Sequence, residues 1–156
     1  MITKLQFVLG MMCCVCLVSC DDQVVFEENK AIENGNWKNT DNVHFQFNIT
    51  DTVSFHDFFI NVRNGEEYPY CNVYLFMEME FPNAKRSIDT INCYLADPTG
   101  KWLGTGIGKL YDQRFRIRNR KQFPLAGRYT VTIRQGMRAP ELEGIYDVGF
   151  RISKSE

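Results

Sequence analysis

The order of hydrophobic and polar residues along the chain is that of β-strands. Residues 43–49 (VHFQFNI) alternate apolar and polar side chains without a break, the period-two pattern of a strand with one buried face. A second apolar run at 58–62 follows, and a change of parity just before it predicts a bulge or bend near Asp57. This run ends at Asn64-Gly65, a dipeptide suited to a tight turn. Beyond the first 20 residues, no segment shows a comparable helical stripe.

The rest of the chain continues as strands separated by turns. The runs 73–80 and 88–95 predict a hairpin around residues 81–83, and Asp-Pro-Thr-Gly at 97–100 is a strong turn. Further strands are predicted at 115–118, 129–134 and 146–152. This spacing is typical of an antiparallel β-sandwich, and we predict an all-β, jelly-roll-like domain.

The first 19 residues predict a bacterial lipoprotein signal peptide. One lysine is followed by an apolar run from Leu5 to Val18, which is too short to cross a membrane as a helix. The run ends in Leu-Val-Ser-Cys, which matches the lipobox, so cleavage is expected before Cys20. The Cys20 thiol would then carry diacylglycerol, and the freed amine a further chain such as palmitate. The alternative is an ordinary secreted protein that is cleaved elsewhere and keeps Cys20 as a thiol.

These signals divide the chain into three parts. Residues 1–19 are the signal peptide, residues 20–40 are the lipidated N-terminus and tether with an edge strand expected around 24–26, and residues 41–156 are the β-sandwich domain. Residues 20–80 hold 12 acids and 3 bases (net −9), and residues 81–156 hold 7 acids and 14 bases (net +7). The molecule has either an acidic and a basic face or, if the strands interleave, charges that mostly cancel.

Only two cysteines remain in the mature chain besides Cys20, because Cys13, Cys14 and Cys16 leave with the signal peptide. Cys71 and Cys93 fall on consecutive predicted strands. They either form a disulfide, which an exported protein can keep, or pack as small core residues.

No set of residues predicts catalysis, a metal site or a cofactor other than the covalent lipid. The glycine-rich run 104–109 lacks the Ser or Thr and the spacing of a phosphate-binding loop, so a bend between strands is expected. The two histidines, His44 and His56, are expected to be solvated. We predict no enzyme activity and no nucleic-acid partner.

Two surface features could bind partners. Arg114, Arg116 and Arg118 alternate with apolar residues and so are predicted to share one strand face. This row could contact anionic lipid or an acidic partner, or it could protect an edge strand from aggregation. A set of aromatic residues could stack on sugar rings or, alternatively, pack in the core and at its rim. The set comprises Trp37, Tyr68, Tyr70, Tyr74 and Trp102.

Three stretches of the mature chain resemble a known family. They are YPYCNVYLF at 68–76 with FPN at 81–83, DPTGKWLGTG at 97–106, and MR at 137–138 with GIYDVGFRI at 144–152. With them the chain resembles the gliding-motility lipoprotein GldH family of the Bacteroidetes. The resemblance implies a non-enzymatic lipoprotein of the outer membrane, linked to gliding and to the type IX secretion apparatus, with Cys20 as its lipidated residue.

The same lineage implies O-glycosylation at a short sequon of Asp, then Ser or Thr, then a small or aliphatic residue. Asp51-Thr52-Val53 and Asp89-Thr90-Ile91 match it, and Thr52 is the better candidate because it lies in an expected loop. The leading hypothesis is thus a lipid-anchored adaptor or stabilising subunit that contacts other envelope, gliding or secretion proteins. The rival hypothesis is a surface glycan-binding lipoprotein.

Overall fold

The structure is a computed structural model that describes residues 23–156, and this part of the chain is an all-β domain. The signal peptide and Cys20 lie outside the described residues. Ten strands and one short 3₁₀ turn at Glu33–Gly35 make up the domain. The strands are β1 (Val24–Ala31), β2 (Asn36–Lys38), β3 (Val43–Ile49), β4 (His56–Gly65), β5 (Asn72–Glu80), β6 (Arg86–Tyr94), β7 (Leu110–Lys121), β8 (Gly127–Gln135), β9 (Glu141–Glu143) and β10 (Ile145–Lys154).

Eight of the strands form a sandwich of two antiparallel sheets. The first sheet has the order β1-β10-β4-β7, the second sheet has the order β3-β8-β5-β6, and β2 and β9 form a separate two-stranded ribbon. Except for the β5–β6 hairpin, every connection between consecutive sandwich strands crosses from one sheet to the other. Two four-stranded sheets linked in this way form a jelly roll, so the predicted fold class is confirmed.

The core lies between the two sheets and is built by the alternation seen in the sequence. In β3, every second residue from Val43 to Ile49 is buried and the residues between them are exposed. The ring of Phe150, on β10, lies at the centre of an aromatic cluster from both sheets. Its neighbours are Phe26, Phe45, Phe47 and Phe58, with ring centroids 5.9–6.4 Å away.

Two sequence predictions concern the ends of β4: a bulge or bend near Asp57 and a turn at Asn64-Gly65. The register of β4 against β7 does shift between His56 and Phe59, but the extra residues lie on β7, and β4 itself pairs with β10 without a shift at Asp57. The turn predicted at Asn64-Gly65 is wrong. Both residues are buried in the strand, where Gly65 N donates to Gly144 O at 2.8 Å, and the turn follows at residues 66–67.

Part of the segment assigned to the tether belongs to the sandwich. From Val24 onward it forms β1, an edge strand of the first sheet that pairs with β10 along its length. It then supplies β2 of the small ribbon, where Trp37 is fully buried. The folded domain therefore begins only four residues after Cys20.

Cys71 and Cys93 are not bonded to each other. The register pairs Cys93 with Val73, and Cys71 lies further along, where its carbonyl accepts hydrogen bonds from Leu95 and Ala96. Cys71 is exposed, whereas Cys93 is fully buried. Burial raises the pKa of the Cys93 thiol to about 12. Cys93 thus packs as a small core residue, the alternative to a disulfide.

One of the two histidines is buried, contrary to prediction. His44 is exposed on β3 and lies 3.0 Å from the Thr132 hydroxyl, but His56 is only 1% exposed and packs edge-on against Phe123. Burial lowers the pKa of His56 and outweighs the nearby Asp51 carboxylate, which raises it.

We expect His56 to make the domain less stable in mild acid. Its lowered pKa means that the unfolded chain binds a proton more readily, so stability is complete above the ordinary pKa of about 6.5 and decreases as pH falls below it. Urea unfolding near pH 7.5 and near pH 5.5 would measure this, and the decrease should be smaller in His56→Gln. His44→Gln should behave like the wild type. Equal decreases in the wild type and in His56→Gln would contradict the expectation.

Candidate functional site

The arginine row does not lie on one face of the sheet. Arg116 pairs with Phe59 and Arg118 with Phe58, so β7 has an extra residue at this point and the alternation is broken. Arg118 turns toward the inside of the sandwich, where its guanidinium lies 6.0 Å from the centre of the Phe58 ring. The prediction that all three arginines share a face is therefore wrong, because a β-bulge separates Arg118 from Arg114.

Each arginine of the row is paired with a carboxylate from another strand. Arg114 contacts Glu27 at 2.6 Å and Arg116 contacts Asp57 at 3.3 Å. Arg118 binds Asp89 of β6 and so connects the edges of the two sheets. The acidic first half and the basic second half of the chain thus interleave, and much of their charge cancels. Because these arginines are already paired on the edge strand β7, the structure favours a charged edge that protects against aggregation over a row that binds anions.

The outer face of the first sheet carries a polar depression of about 450 Å³. Outward side chains form three rows across the four strands, and Gly149 occupies the centre of the middle row. The rows are Ala31, Asp147, Arg63, Asp112; then Asn29, Gly149, Asn61, Arg114; then Glu27, Arg151, Phe59, Arg116. A Cβ on Gly149 would lie 1.8 Å from Asn29 Oδ1, so only glycine leaves room for the side chain that crosses it.

Mutual hydrogen bonds hold the side chains on one side of this polar depression. Asn61 Nδ2 donates to Asn29 Oδ1 at 3.0 Å and to Glu27 Oε1 at 3.2 Å. Arg114 Nε donates to Asn61 Oδ1 at 2.9 Å, and Arg151 also binds Glu27. The side-chain nitrogen of Asn29 has no hydrogen-bond partner within residues 23–156. It is a donor that a ligand could use.

A second network holds the opposite side of the polar depression. Arg63 Nε donates to Asp112 at 2.7 Å, and Arg63 Nη1 donates to Asp147 at 3.1 Å. Arg63 and Arg114 line the depression together with the carboxylates of Glu27, Asp112 and Asp147, and Arg151, which binds Glu27 from beside the depression, supplies the third positive charge. The depression is therefore rich in hydrogen-bonding groups, yet its charges balance.

The aromatic residues are divided between the core and the surface. Trp37 and Tyr68 are buried, and Trp102 is half-buried against Tyr111, so these three follow the packing alternative. Tyr70 and Tyr74 are about two-fifths exposed.

The outer face of the second sheet carries an aromatic stripe, composed of Tyr74, Phe76, Tyr94 and Ile88. These residues lie diagonally along the β5–β6 hairpin, and Tyr94 and Ile88 are 59% and 64% exposed. The sequence reasoning missed Phe76 and Tyr94 as surface residues. Phe76 could have been found, because it has the opposite parity from the core residue Leu75.

The glycine-rich run forms a bend, as predicted. Thr105 and Asp112 exchange backbone hydrogen bonds, and Lys109 is paired with Glu66. A Cβ on Gly106 would lie 1.9 Å from the backbone oxygen of Leu110, so the loop folds tightly onto the start of β7.

Thr52 lies in the loop between β3 and β4 and is partly exposed. The Asp51 carboxylate accepts hydrogen bonds from the backbone nitrogens of Val53 and Ser54 and from the Ser54 hydroxyl. The Ser54 bonds, followed by the Val53 bond, lower the pKa of Asp51 to about 2. The sequon aspartate thus holds the turn that presents Thr52. Glycosylation of Thr52 stays a prediction.

Within residues 23–156, no cluster of three or more His, Cys, Asp or Glu side chains is placed to hold a metal ion. The same part of the chain contains no helix that is long and apolar enough to span a membrane.

Comparison with known proteins assigns the chain to a family. The model of the GldH lipoprotein family matches residues 24–152, from the start of β1 to a point two residues before the end of β10. The chain belongs to the GldH lipoprotein family. The gliding motility lipoprotein GldH homolog of Christiangramia forsetii is 37% identical over 145 residues, which cover 88% of each chain. The gliding motility lipoprotein GldH of Flavobacterium johnsoniae is 30% identical, with 91% of this chain and 92% of that protein covered.

Family membership establishes the general character of the protein. It is a GldH-like lipoprotein, associated with gliding motility and anchored by lipid in the cell envelope.

Among solved structures, the Aeromonas hydrophila periplasmic inhibitor of g-type lysozyme matches at 13% identity, with 81% of this chain and 85% of that chain covered. Its TM-score of 0.33 is too low to support an argument about function.

Proposed function

We propose that this protein is a non-enzymatic adaptor or stabilising subunit of the gliding and type IX secretion machinery, held at the outer membrane by lipid on Cys20. The observation that carries the proposal is the aromatic stripe. Clustered Tyr and Phe side chains on a rigid sheet are typical of protein interfaces, where a few large residues supply most of the binding energy. Family membership and the lipobox support the location in the envelope.

The local structure keeps the aromatic stripe in place. The Phe76 ring lies against Gly136, where an added Cβ would come within 3.0 Å of it. Met137 packs beside Tyr74 and its sulfur lies 3.3 Å from the Tyr74 backbone nitrogen. A preorganised surface of this kind loses little conformational entropy when a partner binds.

The proposal is tested by deletion and complementation in a gliding relative. Deleting the relative's gene should abolish spreading or type IX secretion, and this chain should restore it. The triple variant Tyr74→Ala, Phe76→Ala, Tyr94→Ala should accumulate in the envelope at normal levels but fail to restore the phenotype. Leu103→Ala is the matched control, since Leu103 is also an exposed apolar residue, at 51%, but lies in the loop between β6 and β7. Unchanged phenotypes after deletion would reject the adaptor role, and full activity of the triple variant would reject the aromatic stripe as its contact surface.

The polar depression supports a second candidate function, binding of a neutral glycan. Sugar hydroxyls donate and accept hydrogen bonds, and the amides and ion pairs around Gly149 offer both without favouring either sign of charge. Half-buried Phe59 lies on the same face beside the depression, two residues from Asn61, and offers apolar surface to the C–H side of a sugar ring that extends past the depression.

Calorimetric titration of the full-length protein in mild detergent would test the glycan candidate. The probes are neutral cello-, xylo- and malto-oligosaccharides, with oligogalacturonate as the anionic comparison. Asn61→Ala should weaken binding of a neutral probe about tenfold, whereas Asn48→Ala, at an exposed position of β3, should not. Failure of every neutral probe to bind, or binding that is lost only in Tyr74→Ala, would reject the polar depression as a glycan site.

A further inference from the structure

The end of the sandwich where the chain enters from Cys20 is a distinct surface, called here the anchor end. It consists of Gln23, the β3–β4 loop at 50–55, residues 119–126 and the C-terminal residues 153–156. Hydrogen bonds tie these parts together. Lys154 N donates to Gln23 O at 2.8 Å, Ser155 N donates to Phe55 O at 2.8 Å, and Gln122 Nε2 donates to Val53 O at 2.6 Å.

Chain length brings the anchor end close to the membrane. β1 begins at Val24, four residues after Cys20. An extended chain advances at most about 3.6 Å per residue, so the Cα of Val24 lies no further than about 14 Å from the Cα of Cys20. The opposite end of the domain is about 33 Å away along the ten residues of β4.

The side chains of the anchor end suit the boundary between lipid and water. Three apolar residues of its loops are exposed, with Val53 at 78%, Phe55 at 41% and Leu125 at 36%. Arg120 lies 4.9 Å from the centre of the Phe55 ring, and Lys121 is exposed next to it. Aromatic and aliphatic side chains enter the headgroup region, and long basic side chains reach the phosphates while their stems stay among apolar groups.

The exposure of apolar side chains does not by itself identify the anchor end as the end that faces the membrane. Ile107, at the opposite end, is 95% exposed. The decisive difference is the length of the connection to Cys20, because the short tether keeps Val53 and Phe55 within reach of the membrane, whereas Ile107 reaches it only if the domain lies on its side.

We propose that the anchor end docks on the phospholipid surface, with Val53 and Phe55 among the headgroups and Lys121 beside the lipid phosphates. This inference rests on lipidation of Cys20 in the proposed function. The docked domain stands upright, with both sheets roughly perpendicular to the membrane. The aromatic stripe and the polar depression then face sideways and stay accessible to partners in the plane of the membrane.

Spin labels on the full-length protein, expressed with its signal peptide and mixed with vesicles, test this docking. The vesicles contain phosphatidylethanolamine with phosphatidylglycerol as the minority anionic lipid. Labels are placed at Val53→Cys or, as the matched control, at Ile107→Cys. Both variants also carry Cys71→Ser, and buried Cys93 is retained. The ratio of oxygen to nickel-chelate accessibility should be several-fold higher at position 53 than at position 107.

The possible outcomes distinguish a failure of the docking proposal from a failure of the lipid anchor. If the protein floats with the vesicles but both labels are equally accessible to nickel, the docking is overturned and the anchor stands. A higher ratio at position 107 overturns the docking as well. If the protein does not float, lipidation itself is rejected, and the docking with it. In the label-53 background, Phe55→Ser should lower the ratio without preventing flotation, whereas Leu103→Ser should leave it unchanged.

Discussion

Replacing Phe150 with alanine is expected to lower the free energy of unfolding by about 3–5 kcal/mol. The side chain is fully buried and contacts four phenylalanine rings from both sheets, so its removal leaves a cavity that the rigid sandwich cannot fill by relaxing. Domains of this size are typically stable by about 5–15 kcal/mol, so the variant should be close to unfolding at 37 °C.

Urea unfolding, monitored by circular dichroism, would measure the Phe150→Ala effect. The urea concentration at the midpoint should fall, and the dependence of the free energy of unfolding on urea should be unchanged. Phe76→Ala is the matched control, because the same side chain is removed from the outer face of the second sheet. It should cost no more than about 1 kcal/mol. Equal midpoints for Phe150→Ala and the wild type would contradict the position of Phe150 at the centre of the core.

Replacing Cys20 with serine is expected to remove the protein from the membrane almost completely. Several acyl chains, at about 0.8 kcal/mol per buried methylene, hold a lipoprotein firmly, whereas the docking surface of the anchor end alone is small. The variant should lose labelling by radioactive palmitate and move from the detergent phase to the aqueous phase in Triton X-114 partition.

The chain provides a control for the Cys20→Ser variant. Cys71 is the exposed free thiol of the folded domain, so Cys71→Ser tests whether loss of any accessible cysteine affects labelling or membrane association. It should behave as the wild type in both measurements. Persistent palmitate labelling of Cys20→Ser would show that another residue carries the lipid.

The strands could be predicted from sequence because one face of each sheet is buried. In β3 and β5 the burial alternates as the side chains do, so the apolar pattern reports the fold directly. The length of β1 beyond Phe26 was harder to predict, because an edge strand with a solvated face can carry Glu, Asn and Lys residues. The signal there is weak, although the strand pairs along its whole length.

The candidate site could be predicted only in part, because it depends on contacts that are distant in sequence. Glu27 and Arg114 are 87 residues apart, and no sequence pattern near either residue predicts that they pair. The bulge in β7 moves Arg118 to the other face, and an alternating sequence does not reveal such a bulge. His56 is buried because Phe123, from the β7–β8 loop, covers it.

The pairing of β1 with β10 determines when the domain can fold. Val24 lies opposite Ser153, and β10 occupies an inner position of the first sheet, between β1 and β4. The strand made first therefore has no partner until the last residues of the chain arrive. The first sheet can be completed only after nearly the whole chain has left the ribosome, or has passed any membrane that it crosses N-terminus first.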